Sequence, residues 1–142
     1  MTTKQLFVRI DNQPGRLLEI LEIIGAAGVN MRTLTMAEEN TQGILRVLAD
    51  YPEKAEKALA DKGYSVGIAP VLMVEMGDRP GSTYEVLRVL SQAGINVEYT
   101  YAFVAPGGLN RAFMVLRVRD NSAAEDVLTA NGVAAVALED VF

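Results

Sequence analysis

The sequence predicts an α+β fold in which two tandem βαββαβ units each form an antiparallel sheet with two helices on one face. The first observation behind this prediction is a repeat: Asn12-Gln13-Pro14-Gly15 returns 66 positions later as Asp78-Arg79-Pro80-Gly81. In the same register, residues 27–30 read Ala-Gly-Val-Asn and residues 93–96 read Ala-Gly-Ile-Asn. A duplication explains this register better than two unrelated amphipathic segments do. We therefore expect one domain over residues 1–69 and another over residues 70–142.

The second observation is the alternation of strand and helix patterns within each copy. In the first copy, apolar residues alternate as in a strand before Pro14, and a stripe with helical spacing follows until Gly28. Proline suits the first turn of a helix, and glycine ends a helix by adopting a left-handed conformation. The predicted elements are a strand over 6–10, a helix from Pro14 to Gly28, strands over 29–36 and 44–49, a helix capped by Asp50 and ended by Gly63, and a strand over 64–68.

The second copy repeats this order, and Asn121 or Ser122 is expected to cap its second helix. Aligning Asp50 with Asp120 makes the hairpin of the second copy about four residues longer, near residues 105–108. Right-handed strand-helix-strand crossovers then produce the ferredoxin-like sandwich, with the strand that follows the first helix at the sheet edge. An open edge favours pairing with another strand, so we expect a homodimer.

Composition restricts the function classes. The 142 residues include no cysteine, histidine or tryptophan, and 13 basic against 18 acidic residues give a formal net charge of −5. Because thiol nucleophiles, thiolate metal sites and the commonest general base are missing, we expect no enzyme, no cofactor and no metal. The basic residues are scattered and no apolar run could span a bilayer, so we expect neither nucleic acid nor membrane as a partner. The N-terminus lacks the apolar core of a signal peptide, which favours a cytoplasmic protein.

The two Pro-Gly loops are the candidate binding site. Backbone N–H groups at a helix N-terminus favour an anion such as a carboxylate, and Gly15 and Gly81 keep their approach free of a side chain. Asn12 and Asp78, three residues earlier, can accept a hydrogen bond from an ammonium group. These loops therefore suit the two charged groups of a free amino acid. The alternative is that Pro-Gly only marks a helix entry and that Asn12 is only a cap.

A strand followed by Asn-x-Pro-Gly, a helix and Ala-Gly-Val-Asn-Met resembles the ACT domain, and the whole chain is similar to two such domains. The resemblance is to stand-alone bacterial tandem-ACT proteins and, more loosely, to the small regulatory subunit of acetolactate synthase. It implies regulation by a free amino acid effector, bound at a domain interface by the loop after the first strand and the helix start that follows. On this basis the candidate ligand-binding residues are Asn12, Gln13, Gly15, Asn30, Met31, Asp78, Arg79, Gly81, Asn96 and Val97.

Tyr99 and Tyr101 complete the candidate site. Together with Phe103 they share one side of a predicted strand, where the first copy has only threonine and alanine. Two duplicated cores should not differ so much in volume, so this aromatic surface is expected to face a ligand, the other domain or a second chain. Simple core packing is the alternative.

Three functions are compatible with this fold. The leading hypothesis is a regulatory protein that binds a free amino acid. The alternative is a trans-acting regulatory subunit of an amino-acid biosynthetic enzyme such as acetolactate synthase. An enzyme that uses carboxylates or tyrosine is disfavoured by the absence of histidine and cysteine. Glu19, Glu22 and Glu85 are interpreted as solvated helix faces, since no perturbing neighbour is evident.

Overall fold

The computed structural model describes all 142 residues, which divide into two compact units. The N-terminal unit spans Lys4–Ala69, and the C-terminal unit spans Pro70–Phe142 together with Met1–Thr3. The strands and helices in chain order are β1 Thr3–Asp11, α1 Arg16–Ala26, β2 Met31–Glu39, β3 Gln42–Ala49, α2 Pro52–Asp61, β4 Ser65–Gly77, α3 Ser82–Gln92, β5 Val97–Val104, β6 Arg111–Val118 and α4 Asn121–Ala130. No helix combines the length and the apolar character that crossing a membrane requires.

The N-terminal unit has the strand order β2-β3-β1-β4, with β2 at the edge, as the sequence predicts for a ferredoxin-like sandwich. The strand β3 runs antiparallel to both β1 and β2. Alternate residues of these strands are buried against α1 and α2, because the period of two of a strand directs them to one face. The core contains Leu6, Val8 and Ile10 of β1, Leu45 and Val47 of β3, Ile20 and Ile24 of α1, and Ala55 and Leu59 of α2.

The C-terminal unit repeats this plan with the strand order β4-β6-β5 and a core between the sheet and helices α3 and α4. The full strand predicted at the end of this copy is wrong, since only one bridge, between Val74 and Ala135, is formed there. Two further backbone bonds, Glu75 N to Ala134 O and Val136 N to Met73 O, hold this segment to β4. The pairing then stops because the chain turns into a 3-10 helix over Leu138–Asp140.

Strand β4 crosses the junction between the repeats. The sequence predicts separate strands on either side of Ala69-Pro70, but the structure has one strand of 13 residues over Ser65–Gly77. The Pro70 carbonyl accepts hydrogen bonds from Arg117 Nη1 at 2.8 Å and Asn121 Nδ2 at 3.3 Å. The proline therefore lies inside a strand and not in a linker.

The caps of the two second helices differ from the prediction. Tyr51, and not Asp50, is the residue before α2, and it has a left-handed backbone with φ 53°. Asp120, and not Asn121 or Ser122, caps α4 by accepting a hydrogen bond from Ala123 N at 3.0 Å. Residue type alone therefore placed each cap one or two positions away from the residue that precedes the helix in the structure.

The hairpin of the C-terminal unit is longer than that of the N-terminal unit, as predicted: six residues connect β5 to β6 and two connect β2 to β3, while the strand register gives an excess of three. Met31 pairs with Ala49, and Val97, its equivalent in the second repeat, pairs with Val118. The repeats are therefore offset by 66 positions before the hairpin and by 69 positions after it. The extra residues lie between β5 and β6, where Gly107 and Gly108 both have positive φ, as the tip of a hairpin requires.

Candidate functional site

Each Pro-Gly loop leads directly into a helix that no side chain caps. Gly15 before α1 has φ 87° and Gly81 before α3 has φ 88°, a left-handed conformation that glycine adopts without strain. The interpretation of Asn12 as the cap of α1 is wrong, and Pro14 lies in the turn before Gly15, outside the helix. The N–H of Arg16 bonds back to the loop at Gln13 O, 3.2 Å away. The next N–H groups of the first turn stay open to an anion.

Space is open in front of both loops. A side chain placed on Gly15 or Gly81 would meet no other heavy atom within 4 Å of its Cβ. Neither glycine is therefore required for close packing inside its own unit; the positive φ alone explains its presence. An approaching ligand would meet backbone at these two positions and no side chain.

A cleft of about 490 Å³ lies beside the loop of the N-terminal unit. Its walls come from the end of β1, the start of α1, the start of β3 and the connection from α2 to β4. Its charged side chains have both signs: the cations Arg9, Arg16 and Lys62 lie with the carboxylates Asp11 and Glu19. Arg16 and Glu19 are 3.8 Å apart. The volume is within the range of small-ligand pockets, and the mixed charges suit a ligand that carries both a cation and an anion.

Tyr64 contributes a buried hydroxyl group to this cleft. The ring is half-buried, and its Oη is shielded from solvent without a hydrogen-bond partner. Burial raises the pKa of the Tyr64 phenol, the nearby Glu19 carboxylate raises it further, and the Arg16 guanidinium partly offsets this rise. Both groups lie close to the hydroxyl, but neither makes a hydrogen bond of normal geometry with it. Most buried polar groups in proteins are paired, so an unpaired hydroxyl in the wall of a cleft is a group that a ligand could satisfy.

Replacing Tyr64 with phenylalanine is expected to stabilise the ligand-free protein by about 1 kcal/mol, because it removes a buried hydroxyl that makes no hydrogen bond of normal geometry. Urea denaturation at neutral pH measures this change. A loss of stability in Tyr64→Phe would mean that the hydroxyl is bonded in the folded protein.

The same variant is also expected to change how the stability of the protein depends on pH. The raised pKa favours the neutral phenol in the folded state, so above the ordinary tyrosine pKa of 10.0 the unfolded chain releases a proton that the folded chain retains. This contribution to stability is complete below that pH and is lost as the pH rises through the folded pKa. Wild-type protein should therefore lose more stability than Tyr64→Phe between neutral and strongly alkaline pH.

The structure does not bring all the predicted site residues of one unit together. Asn12 and Gly15 precede α1, whereas Asn30 and Met31 follow it, so the 11 residues of the helix separate them by about 16 Å. Met31 packs against the helix-side core of its unit. In the C-terminal unit the equivalent helix α3 separates the second loop from its own Asn and Val in the same way.

The second loop is attached to the hairpin of its own unit. Asp78 N donates to Asn110 O at 2.9 Å, and Arg79 O accepts from Ser82 N at 3.3 Å. Val97 packs against the helix-side core, and Asn96 lies in a different cleft, beside the start of α4. The clefts of about 430 and 550 Å³ found elsewhere on the chain are not lined by residues of the second loop.

The three aromatic side chains of β5 lie on the sheet face opposite the helices. Tyr101 is opposite Val115 and Phe103 is opposite Phe113, and none of these four residues belongs to the helix-side core. Phe103 packs 5.6 Å from the Phe113 ring and stacks 5.8 Å from the ring of Phe142, between centroids. For Phe103 the structure shows packing within its own unit, on the face of the sheet away from the helices. That Tyr99 and Tyr101 face a ligand, the other domain or a second chain stays a prediction.

Within the unit, this strand does not lie beside the second loop. Strand β6 separates β5 from β4, and Asp78 follows the end of β4. Tyr99 is opposite Arg117, six positions along β6 from Arg111, which pairs with Gly77. At about 3.3 Å per residue, Tyr99 lies roughly 20 Å from the loop along the strand direction. An aromatic wall directly beside that loop is therefore not formed inside one unit.

Sequence reasoning missed most of the cleft. Arg9, Asp11 and Arg16 adjoin the first loop in sequence, and their alternation of charge just outside the Asn-x-Pro-Gly motif was the available signal. The sequence predicts a solvated helix face for Glu19, and its side chain is indeed about half exposed, but it also lines the cleft. No local signal identifies Tyr64, because its place depends on how the α2–β4 connection packs.

Comparison with known proteins identifies the family to which the sequence is similar. The sequence model of the ACT domain pair matches residues 1–142. A Bacteroides thetaiotaomicron protein of known crystal structure is 34% identical, with a TM-score of 0.90 over 99% of this chain and 96% of that chain. Curated proteins include no match.

More distant structures share the fold. The ligand-free regulatory subunit of aspartate kinase from Thermus thermophilus is 17% identical, with a TM-score of 0.62 over 89% of this chain and 91% of that chain. The same subunit from Thermus flavus is 17% identical, with a TM-score of 0.59 over 89% and 90% of the two chains. Since the family match covers every residue of both units, the chain belongs to the family of ACT domain pairs.

Proposed function

We propose that this protein is a regulatory protein that binds a free amino acid, and that the cleft beside the first loop holds the ligand. The observation that carries the proposal is the combination of three cations, two carboxylates and an uncapped helix N-terminus around one cleft. A plain anion would be repelled by Asp11 and Glu19, and a plain cation by Arg9 and Arg16. A zwitterion satisfies both sets.

The roles of the residues follow from this charge arrangement. The guanidinium groups of Arg9 and Arg16, with the open N–H groups of α1, are suited to the α-carboxylate. Asp11 is suited to the ammonium group, and the unpaired Tyr64 hydroxyl can complete a hydrogen bond to either. Asn12 and Gly15 do not line the cleft, but they connect Asp11 to Arg16, which do, and Gly15 leaves the backbone before α1 accessible.

Regulation, and not catalysis, is the proposed consequence of binding. The distant structural relatives include regulatory subunits of aspartate kinase, which belong to enzyme assemblies. A trans-acting subunit of an amino-acid biosynthetic enzyme is therefore the second candidate, and binding of such an enzyme in the absence of any amino acid would favour it. Strands β2 and β5 are the outermost strands of their units, so the proposal includes a homodimer formed through one of these edges. We expect this assembly to be cytoplasmic.

Arg16→Gln is expected to weaken amino-acid binding by about ten- to a hundredfold, because it removes a charged hydrogen-bond donor to the carboxylate. The measurement is a thermal-shift titration with free amino acids. Wild-type protein at about 100 times the dissociation constant should gain about 2.7 kcal/mol of stability, and the variant should need proportionally more ligand.

Arg88→Gln is the matched control. Arg88 on α3 pairs with Glu85 at 2.9 Å with 41% of its side chain exposed, and Arg16 on α1 pairs with Glu19 with 45% exposed. Both variants should melt close to wild type without ligand, and only Arg16→Gln should lose the ligand response. Equal responses in the two variants would remove Arg16 from the site.

A further inference from the structure

A second cleft, of about 430 Å³, lies in the C-terminal unit and shares no residue with the first. It is formed where the connection from α3 to β5 meets the start of α4. Its polar groups come from Asn96, Glu98, Arg119 and Asp120, and its apolar wall includes Ala123. The cleft is distant in sequence from both Pro-Gly loops.

In the N-terminal unit, two charged side chains bridge the place that corresponds to this cleft. Arg32 and Asp50 of the N-terminal unit form a bidentate ion pair, with Nε–Oδ1 at 3.2 Å and Nη2–Oδ2 at 2.8 Å. Offsets of 66 before the hairpin and 69 after it make Glu98 the equivalent of Arg32, and Arg119 the equivalent of Asp50. The second repeat therefore carries the same two charges in exchanged positions.

Glu98 and Arg119 do not form an ion pair with each other. Glu98 lies 3.6 Å from Arg117 and leaves Arg119, which is exposed, without an ion pair or hydrogen bond. The backbone bond from Asp50 N to Asn30 O, 3.0 Å in the first repeat, also has no counterpart between Arg119 and Asn96. The Arg32–Asp50 ion pair of the first repeat is therefore replaced in the second repeat by an open cleft.

We infer that this cleft binds an α-amino acid with a small uncharged side chain, as a second ligand site of the chain. The charged groups of the cleft face the carboxylate and ammonium of the ligand, which leaves its side chain to the apolar Ile95 and Ala123. The Arg119 guanidinium takes the carboxylate, since it is the one cation in the cleft and has no competing partner. The ammonium group lies against the Asn96 carbonyl and the Asp120 carboxylate, of which only Oδ1 is engaged, by Ala123 N. The two acidic groups disfavour a simple anion, and Arg119 disfavours a metal ion or a simple cation.

The test is a two-dimensional NMR titration of the full chain with a mixture of glycine, L-alanine, L-serine and L-valine at millimolar concentration. We expect saturable shifts of the backbone amides of residues 94–96 and 119–123. Acetate and methylammonium, which carry one charge each, should not produce these shifts at the same concentration. Arg119→Gln should weaken the response at these amides by at least about tenfold, and Arg88→Gln should leave it unchanged.

Three results would overturn this inference: no shift at these amides, an equal shift with acetate, or an unchanged response in Arg119→Gln. Each is distinguishable from failure of the proposed function, because that site reports through the amides of residues 9–19. Shifts confined to residues 9–19 would leave the first cleft as the ligand site and remove the second. Shifts confined to residues 94–96 and 119–123 would leave the second cleft as the ligand site and remove the first.

Discussion

Phe113→Ala is expected to lower the free energy of unfolding by about 3 to 5 kcal/mol. The Phe113 side chain is fully buried on the face of β6 that points away from the helices. Its ring packs against Phe103, and the Arg111 guanidinium lies 5.4 Å from its centroid. Truncation to alanine leaves a cavity that a sheet cannot collapse to fill, because its backbone is held by neighbouring strands. Urea denaturation measures the loss.

Phe142→Ala is the control for this prediction. Phe142 stacks on the same Phe103 ring, but 38% of it is exposed, so its truncation should cost clearly less than that of Phe113. If Phe113→Ala proved as mild as Phe142→Ala, the second face of the C-terminal sheet would not be a packed core.

Gly67→Ala is expected to destabilise the protein by about 1 to 3 kcal/mol, although alanine is normally the better residue within regular structure. A Cβ at Gly67 would lie 2.5 Å from Phe7 Cζ and 2.9 Å from Phe7 Cε1, which real Cβ atoms do not tolerate. The Phe7 ring from β1 therefore covers the glycine of β4, an arrangement in which an aromatic ring substitutes for the missing side chain. Denaturation of the single variant measures the cost.

Two further variants separate this clash from a general effect of alanine. Gly25→Ala in α1 makes the same chemical change where no other heavy atom lies within 4 Å of the new Cβ, so it should gain up to about 1 kcal/mol. Gly67→Ala should cost much less in a Phe7→Ala background, because the ring it meets is gone. Additive effects in the double variant would show that the ring is not the cause.

The fold could be predicted from the sequence because its signals are local and occur twice. The Pro-Gly starts and Ala-Gly-x-Asn ends fixed the register of α1 and α3, and the period of two in the strands identified the buried faces. Helix caps were less predictable, since Asp50 is a favourable cap by type but is engaged by Arg32, and the left-handed Tyr51 takes its place. Matching Asp50 to Asp120 by type also paired the wrong residues, since the strand register makes Arg119 the equivalent of Asp50.

The candidate site was predictable only in part. Gly15 and Gly81 were identified by the chemistry of a helix start, which depends on residues adjacent in the chain. The cleft itself depends on contacts between β1, α1 and the α2–β4 connection, so Tyr64 carries no local signal. The open cleft at Arg119 became visible only when the strand register aligned the two repeats. Both clefts are formed by contacts between residues far apart in the chain, which composition and local patterns do not reveal.

Calorimetric titration of the wild-type chain with each of the twenty standard amino acids tests the central claim most directly. The proposed function predicts saturable heat with at least one amino acid, and a strongly weakened titration of that same amino acid in Arg16→Gln but not in Arg88→Gln. If none of the twenty gave heat or a shift in melting temperature, this ACT domain pair would not be a sensor of free amino acids.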